Sequence, residues 1–108
     1  MLPLEGIRVC DLTIAQFGAH ATMMLADLGA EVVKVESPRG GDPGRGIALQ
    51  PDGVSPFFQS HNRGKKSITV NLRRPAGKEI VRRLAARSAV FVQSWTPGTV
   101  ERLELGYD

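Results

Sequence analysis

The sequence predicts an α/β fold, a Rossmann-like open and mostly parallel sheet, from three observations. Four short runs rich in apolar and β-branched residues are separated by helical periodicity, glycine stands where a helix should stop, and the first 36 residues already read strand, helix, strand. A chain of 108 residues holds one domain at most.

Ile7 to Leu12 is the first strand. The chain then passes through Thr13 and Gly18 into a helix where Ala21, Met24, Leu25 and Leu28 fall at i, i+3, i+4 and i+7, the face expected to meet the sheet. Gly29 takes the position of a left-handed C-terminal cap. Glu31 to Glu36 (EVVKVE) is the second strand, paired parallel through a right-handed crossover. Residues 37–66 contain six glycines and four prolines, a density that predicts a long loop with one short helix over Ser55 to Asn62. Ser67 to Leu72 reads as a third strand and Pro75 as the first residue of a helix over Lys78 to Arg87. Ile80, Val81, Leu84 and Ala85 face inward there, and Lys78, Arg82, Arg83 and Arg87 outward. Ala89 to Gln93 is a fourth strand, and Pro97 turns the chain into Thr99 to Leu103.

Two principal helices scarcely cover both faces of a parallel sheet. The expectation is that residues 1–108 are the opening portion of a larger domain, with Phe57, Phe58, Val90 and Val92 partly exposed and self-association favoured. No run approaches the ~18 apolar residues a spanning helix needs, and MLPLEGIR is no secretory leader, which predicts a cytoplasmic protein with no membrane partner.

The single cysteine, Cys10, excludes an internal disulfide and a thiolate zinc site; it lies in the run IRVCDL, where a buried thiol is expected, and no metal is expected. The net charge of +3 is uneven: residues 1–62 carry −3, residues 63–87 carry +8, and residues 88–108 carry −2. Arg63, Lys65, Lys66, Arg73 and Arg74 form either a phosphate-holding cluster or a solvated face, and strand alternation would send Arg73 and Arg74 to opposite sides. Neither G-x-G-x-x-G nor G-x-x-x-x-G-K-[ST] occurs, which argues against dinucleotide and P-loop chemistry. His20 and His61 have no nucleophile at recognisable spacing. Phe57, Phe58 and Trp95 are too scattered for a nucleic-acid stacking platform. Ligands of such sheets bind beyond the carboxyl ends of the strands, here Thr13 to Gly18, Ser37 to Lys66 and Ser94 to Gly98.

Five ordered segments, LEGIRVCDLT, MMLADLGAEVVKVESP, GDPGRG, NRGKKSITVNLRRPAG and PGTVERLELGY, carry a further signal. Their order and gaps resemble the N-terminal part of the family III CoA-transferases, the CaiB/BaiF group, which also includes α-methylacyl-CoA racemases. The resemblance implies a Rossmann-like large domain continuing into a small one, in a homodimer of interlocked rings. It implies an acyl-CoA and a carboxylic acid acceptor as substrates, with transfer through an aspartyl anhydride and then an aspartyl-CoA thioester. The nucleophilic aspartate falls downstream; none of Asp11, Asp27, Asp42, Asp52 or Asp108 matches its motif, so this chain alone is expected to be inactive. The alternatives are a racemase or epimerase of the same family, with acid and base also downstream, or a non-catalytic CoA-binding remnant.

The same resemblance places coenzyme A contacts inside this chain. Gln16, with Phe17, matches a loop that approaches the thioester, where a side-chain amide stabilises developing charge. Val70, Asn71, Leu72 and Arg73 match a segment framing the adenine and phosphates. Ser94, Trp95 and Thr96 match the loop after the fourth strand, and Arg102 a basic residue near the phosphates. The family pattern V-E-R-P is V-E-S-P here, with Ser37 at the arginine position and Arg39 two residues on. Its A-G-P is Phe17-Gly18-Ala19.

Overall fold

The computed structural model describes residues 1–107; Asp108 lies outside the described residues. In chain order the elements are β1 (Arg8–Leu12), α1 (Phe17–Asp27), β2 (Glu31–Glu36), a 3-10 turn (Pro43–Gly46), α2 (Pro56–Asn62), β3 (Lys66–Thr69), α3 (Pro75–Ala86), β4 (Val90–Gln93) and α4 (Thr99–Arg102). The strands form one sheet of order β3-β2-β1-β4, parallel at each of its three pairings. The chain winds outward from β1 through β2 to β3, then returns to place β4 on the other side of β1. The order of strands therefore reverses beside β1, the position where open α/β sheets present a crevice at their carboxyl ends.

Strand alternation sorts the core into two layers. Cys10, Leu12 and Val35 point to the face covered by α3 and α4, packing with Val70, Val81, Val100 and Leu105. Val9 and Val32 point to the other face, with Ala30, Leu25 and Ala26. On that second face the next inward positions are Asp11, Lys34 and Glu36, all buried. The α1 side of the sheet is thus apolar near the amino ends of the strands and ionic near the carboxyl ends.

Helix α1 meets the sheet on a different face from the one its apolar spacing predicts. Ala19, Thr22 and Met23 are its buried residues, while Ala21 is exposed and Met24 and Leu28 are 52% and 45% exposed. Leu25 alone of the predicted stripe packs inward. The helix is turned by a polar anchor, Thr22 Oγ1 donating to Asp11 Oδ2 at 2.7 Å, and by close approach at Gly18, where a Cβ would sit 2.5 Å from Thr13 Cγ2. Gly29 ends the helix as expected, at φ 105°. Its N–H reaches Ala26 O and that of Ala30 reaches Leu25 O, the paired bonds of a Schellman cap.

The third strand runs Lys66–Thr69 rather than Ser67 to Leu72. Residues 70–74 leave the sheet and turn, so Arg73 and Arg74 occupy no alternating strand positions. Asn71 Oδ1 accepts from Arg73 N at 3.0 Å and organises that turn. Pro75 then opens α3, in which Val81 is fully buried and Leu84 and Ala85 partly so. Ile80 is 51% exposed, against expectation, because the sheet contact centres on Val81. Gly77 rests directly on the turn before it: a Cβ there would lie 2.0 Å from the Asn71 carbonyl oxygen.

The long loop carries more structure than its glycine and proline content predicts. Asp42 caps the 3-10 turn, its Oδ1 accepting from Gly44 N at 2.8 Å. Ser55 caps α2 by accepting from Phe58 N at 3.1 Å and also donates to Ile47 O at 2.5 Å. Phe57 and Phe58 are half-buried, Val92 likewise, and Val90 is 39% exposed. Among the described residues no helix is long and apolar enough to cross a membrane, and no cluster of three His, Cys, Asp or Glu residues is placed to hold a metal.

Candidate functional site

A cleft of about 460 Å³ opens at the carboxyl ends of the strands. Leu12 to Ile14 form its wall after β1, and Val35 to Arg39 with Gly41 to Pro43 the wall after β2. Val70 to Arg73 contribute the segment after β3, and Trp95 with Leu103 the side after β4. Its floor is apolar (Leu12, Val35, Val70, Leu72), one wall is an indole, and two guanidinium-bearing residues, Arg39 and Arg73, line it from separate elements. In chemical terms such a lining suits a flat apolar group beside an anionic one.

Of the residues expected to contact a ligand, Val70, Asn71, Leu72, Arg73 and Trp95 come together in this cleft. Gln16, Phe17, Ser94, Thr96 and Arg102 lie outside its lining. Gln16 is the exposed N-cap residue of α1 and makes no side-chain capping bond. Phe17 is 90% exposed. Ser94 works within the fold, its Oγ accepting from Ile14 N at 3.1 Å and so joining the loops after β4 and β1. Thr96 is exposed, and Arg102 Nη2 donates to Thr99 Oγ1 at 3.1 Å, inside its own helix.

The basic cluster divides between the two readings the sequence left open, with three of its five members paired inside the molecule, two of them at the surface. Arg63 pairs with Asp27 at 2.8 Å, Lys66 with Glu31 at 2.6 Å and Lys65 with Asp11 at 2.9 Å. Lys65 is the buried one, and its Nζ also donates to Ala19 O at 2.9 Å and Asn62 Oδ1 at 2.8 Å. Burial pulls its pKa below the ordinary lysine value, opposed by the attraction of Asp11. Arg73 alone of the five lines the cleft. Charge count had no means of separating these roles, because each pairing bridges elements far apart in sequence.

Two further side chains that motif reasoning passed over organise the wall after β1. Lys34 Nζ lies 2.7 Å from Asp42 Oδ2, both side chains 1% exposed, and donates to Thr13 O at 2.9 Å. Asp42 Oδ1 accepts from Ala15 N at 3.0 Å. Beneath them Asp11 Oδ1 accepts from Thr13 N at 2.8 Å. Beside them Glu36 accepts from both Nε and Nη2 of Arg45 at 2.7 Å, from Asp42 N at 2.8 Å, and from Ser67 Oγ. Burial raises the Glu36 pKa, but these donors outweigh it and hold the carboxyl at about 2. A lysine and an aspartate eight residues apart, on either side of a glycine-rich turn, were the sequence signal for this pair. Cys10 is buried in the opposite layer. Burial, then the Asp11 carboxylate, push its thiol up to about 12, which leaves it chemically inert.

Residues 4–108 match the family model described as CoA-transferase family III. The chain is 50% identical over 111 residues to the succinyl-CoA:glutarate CoA-transferase of Mus musculus, covering 100% of this chain and 25% of that protein. It is 47% identical to the formyl-CoA:oxalate CoA-transferase of Streptomyces coelicolor, covering 97% and 26%. Among solved structures it superposes on Rv3272 of Mycobacterium tuberculosis with a TM-score of 0.91 at 44% identity, and on a CaiB/BaiF family protein of Brucella suis with a TM-score of 0.90 at 37%. These alignments cover 100% and 98% of this chain and 29% of each structure. The chain thus spans about a quarter of the length of the curated relatives it matches.

Proposed function

The chain belongs to CoA-transferase family III, and from that premise we propose that its cleft is the coenzyme A half of a site that moves CoA between an acyl-CoA thioester and a carboxylic acid. The carrying observation is the convergence, at the carboxyl ends of parallel strands, of Trp95, the Val70 to Arg73 segment and two arginines from different loops. The adenine stacks on Trp95 and its edge meets Asn71. Arg73 and Arg39 share the phosphates, with Arg39 serving where Ser37 leaves no cation. Gln16 and Phe17, at the exposed start of α1, face the thioester once the remaining polypeptide encloses it. There the Gln16 amide donates to the thioester oxygen as charge develops.

An aspartate outside this chain attacks the acyl-CoA carbonyl, expelling CoA thiolate and forming a mixed anhydride. The thiolate then returns to give an aspartyl-CoA thioester and frees the first acid. The acceptor carboxylate repeats the sequence in reverse. The full protein works as an interlocked homodimer, and the isolated chain has no turnover. The similarity to succinyl-CoA:glutarate and formyl-CoA:oxalate CoA-transferases supports transfer over racemisation.

Trp95, the single tryptophan, reports on this directly. Titration with CoA should give a saturable fluorescence change, with ATP, which carries comparable charge, producing a much weaker one. Equal responses to the two would reduce the site to a general polyanion surface and sink the proposal.

A further inference from the structure

The backbone after β1 is gripped at three consecutive residues by side chains from three other places in the chain. Thr13 O accepts from Lys34 Nζ, Ile14 N donates to Ser94 Oγ, and Ala15 N donates to Asp42 Oδ1. Ala15 is held at φ 59°, a left-handed conformation that an alanine adopts only when its surroundings enforce it. The next residue is Gln16, the N-cap of α1. Asp42 is itself immobilised: it is 4% exposed, its second oxygen faces Lys34, its own N–H donates to Glu36, and its Oδ1 also takes Gly44 N.

We infer that Asp42 is a positioning residue for the reacting end of the site, acting through the Ala15 amide to fix the left-handed turn that aims Gln16. The two oxygens of Asp42 have separate duties. Oδ2 neutralises the buried Lys34, which is a matter of stability, whereas Oδ1 sets the conformation of the loop, which is a matter of reaction geometry. A neutral amide at position 42 retains the second duty without the first, since its carbonyl oxygen still accepts from Ala15 N and Gly44 N. This inference rests on the reading of Gln16 and the cleft given above.

The separation of duties defines the test. In the full-length protein, Lys34→Met removes the buried ammonium so that neutral residues at 42 fold without an unpaired charge. Lys34→Met/Asp42→Asn and Lys34→Met/Asp42→Ala then differ in the acceptor offered to Ala15 N and Gly44 N, and the Gln16→Ala background separates the first from the second. They are compared with and without Gln16→Ala, using succinyl-CoA with glutarate and formyl-CoA with oxalate, and CoA affinity is read from Trp95 fluorescence. The Asn form, which also lacks the Lys34 bond to Thr13 O, sets the reference kcat. The Ala form should lose about 100-fold in kcat, with KM for the CoA donor changing less than about 3-fold, as expected for a displaced reacting group. In the Gln16→Ala background the gap between Asn and Ala should close. Equal kcat for the two forms, a gap confined to KM, or a gap undiminished without Gln16 overturns the inference while leaving the transferase reading intact. A wild-type protein with no turnover of either pair overturns that reading and the inference with it.

Discussion

Lys65, on the approach to β3, places its ammonium 2.9 Å from the Asp11 carboxylate of β1, with 2% and 0% of the two side chains exposed. The same carboxylate accepts hydrogen bonds from the hydroxyls of Thr13 and Thr22. This single contact ties the first strand, the first helix and the third strand together. Asp11→Ala leaves the ammonium buried and alone, and should cost about 3–5 kcal/mol in denaturant unfolding. Adding Lys65→Met should restore at least half of that loss. A double variant no more stable than Asp11→Ala would show that the pair does not act as a unit.

Arg73 and Ser37 sit on different walls of the cleft and predict opposite changes in CoA affinity. Removing the guanidinium in Arg73→Ala should weaken CoA binding about 10-fold, and Ser37→Arg should tighten it about 3- to 10-fold by supplying a second-strand cation. Both effects should shrink as salt rises. Calorimetric titration decides the matter, and unchanged affinity in both variants would move the phosphates elsewhere.

Gly77 leaves no room for a methyl group against the Asn71 carbonyl. Gly77→Ala must push α3 away from the turn that carries Asn71 and Arg73, so it should lower stability by about 2–4 kcal/mol and weaken CoA binding together. Loss of stability with undisturbed CoA affinity would show that the turn keeps its shape without the helix behind it.

Glu36 makes part of the stability depend on acid. Its folded pKa of about 2 lies below the ordinary value of 4.5, so the unfolded chain takes up the proton first. The contribution is therefore complete above pH 4.5 and is lost as pH falls toward 2. Allowing for the solvent-facing side of Arg45, it amounts to about 2 kcal/mol. Urea midpoints of wild type and Glu36→Gln should converge over that interval, and a constant separation from neutral pH down to 2 would refute the assignment.

Cys10 titrates at about 12 inside the core. At pH 8 a disulfide-exchange reagent should label the native thiol about 1000-fold more slowly than the urea-unfolded thiol. Comparable rates in the two states would mean that the layer beneath α3 opens freely.

The element types and the parallel arrangement were legible in the sequence because strand and helix periodicities, Gly29 and Pro75 are local signals. The inward face of α1 was not, since Thr22 is anchored by a hydrogen bond to Asp11 and an apolar count ignores it. Val70 to Arg73 were named through an ordered motif and Trp95 through the family resemblance of the loop after the fourth strand; the cleft gathers them as lining, and their part in binding CoA is the proposal above. The fate of the basic cluster was hidden for a different reason. Arg63, Lys65 and Lys66 find their partners 36, 54 and 35 positions away, distances set by sheet order rather than by neighbouring residues. Asp42 and Lys34 escaped notice likewise, because a buried pair shows no periodicity.

The bond from the Ile14 amide to Ser94 Oγ spans 80 positions of sequence. As the polypeptide is made from its amino end, β1 and its following turn exist long before the serine that completes them has been synthesised. Until β4 docks against β1, that amide lacks its native acceptor. Thr13 and Ala15 on either side find their partners at residues 34 and 42, so the turn is completed by contacts from both early and late in the chain.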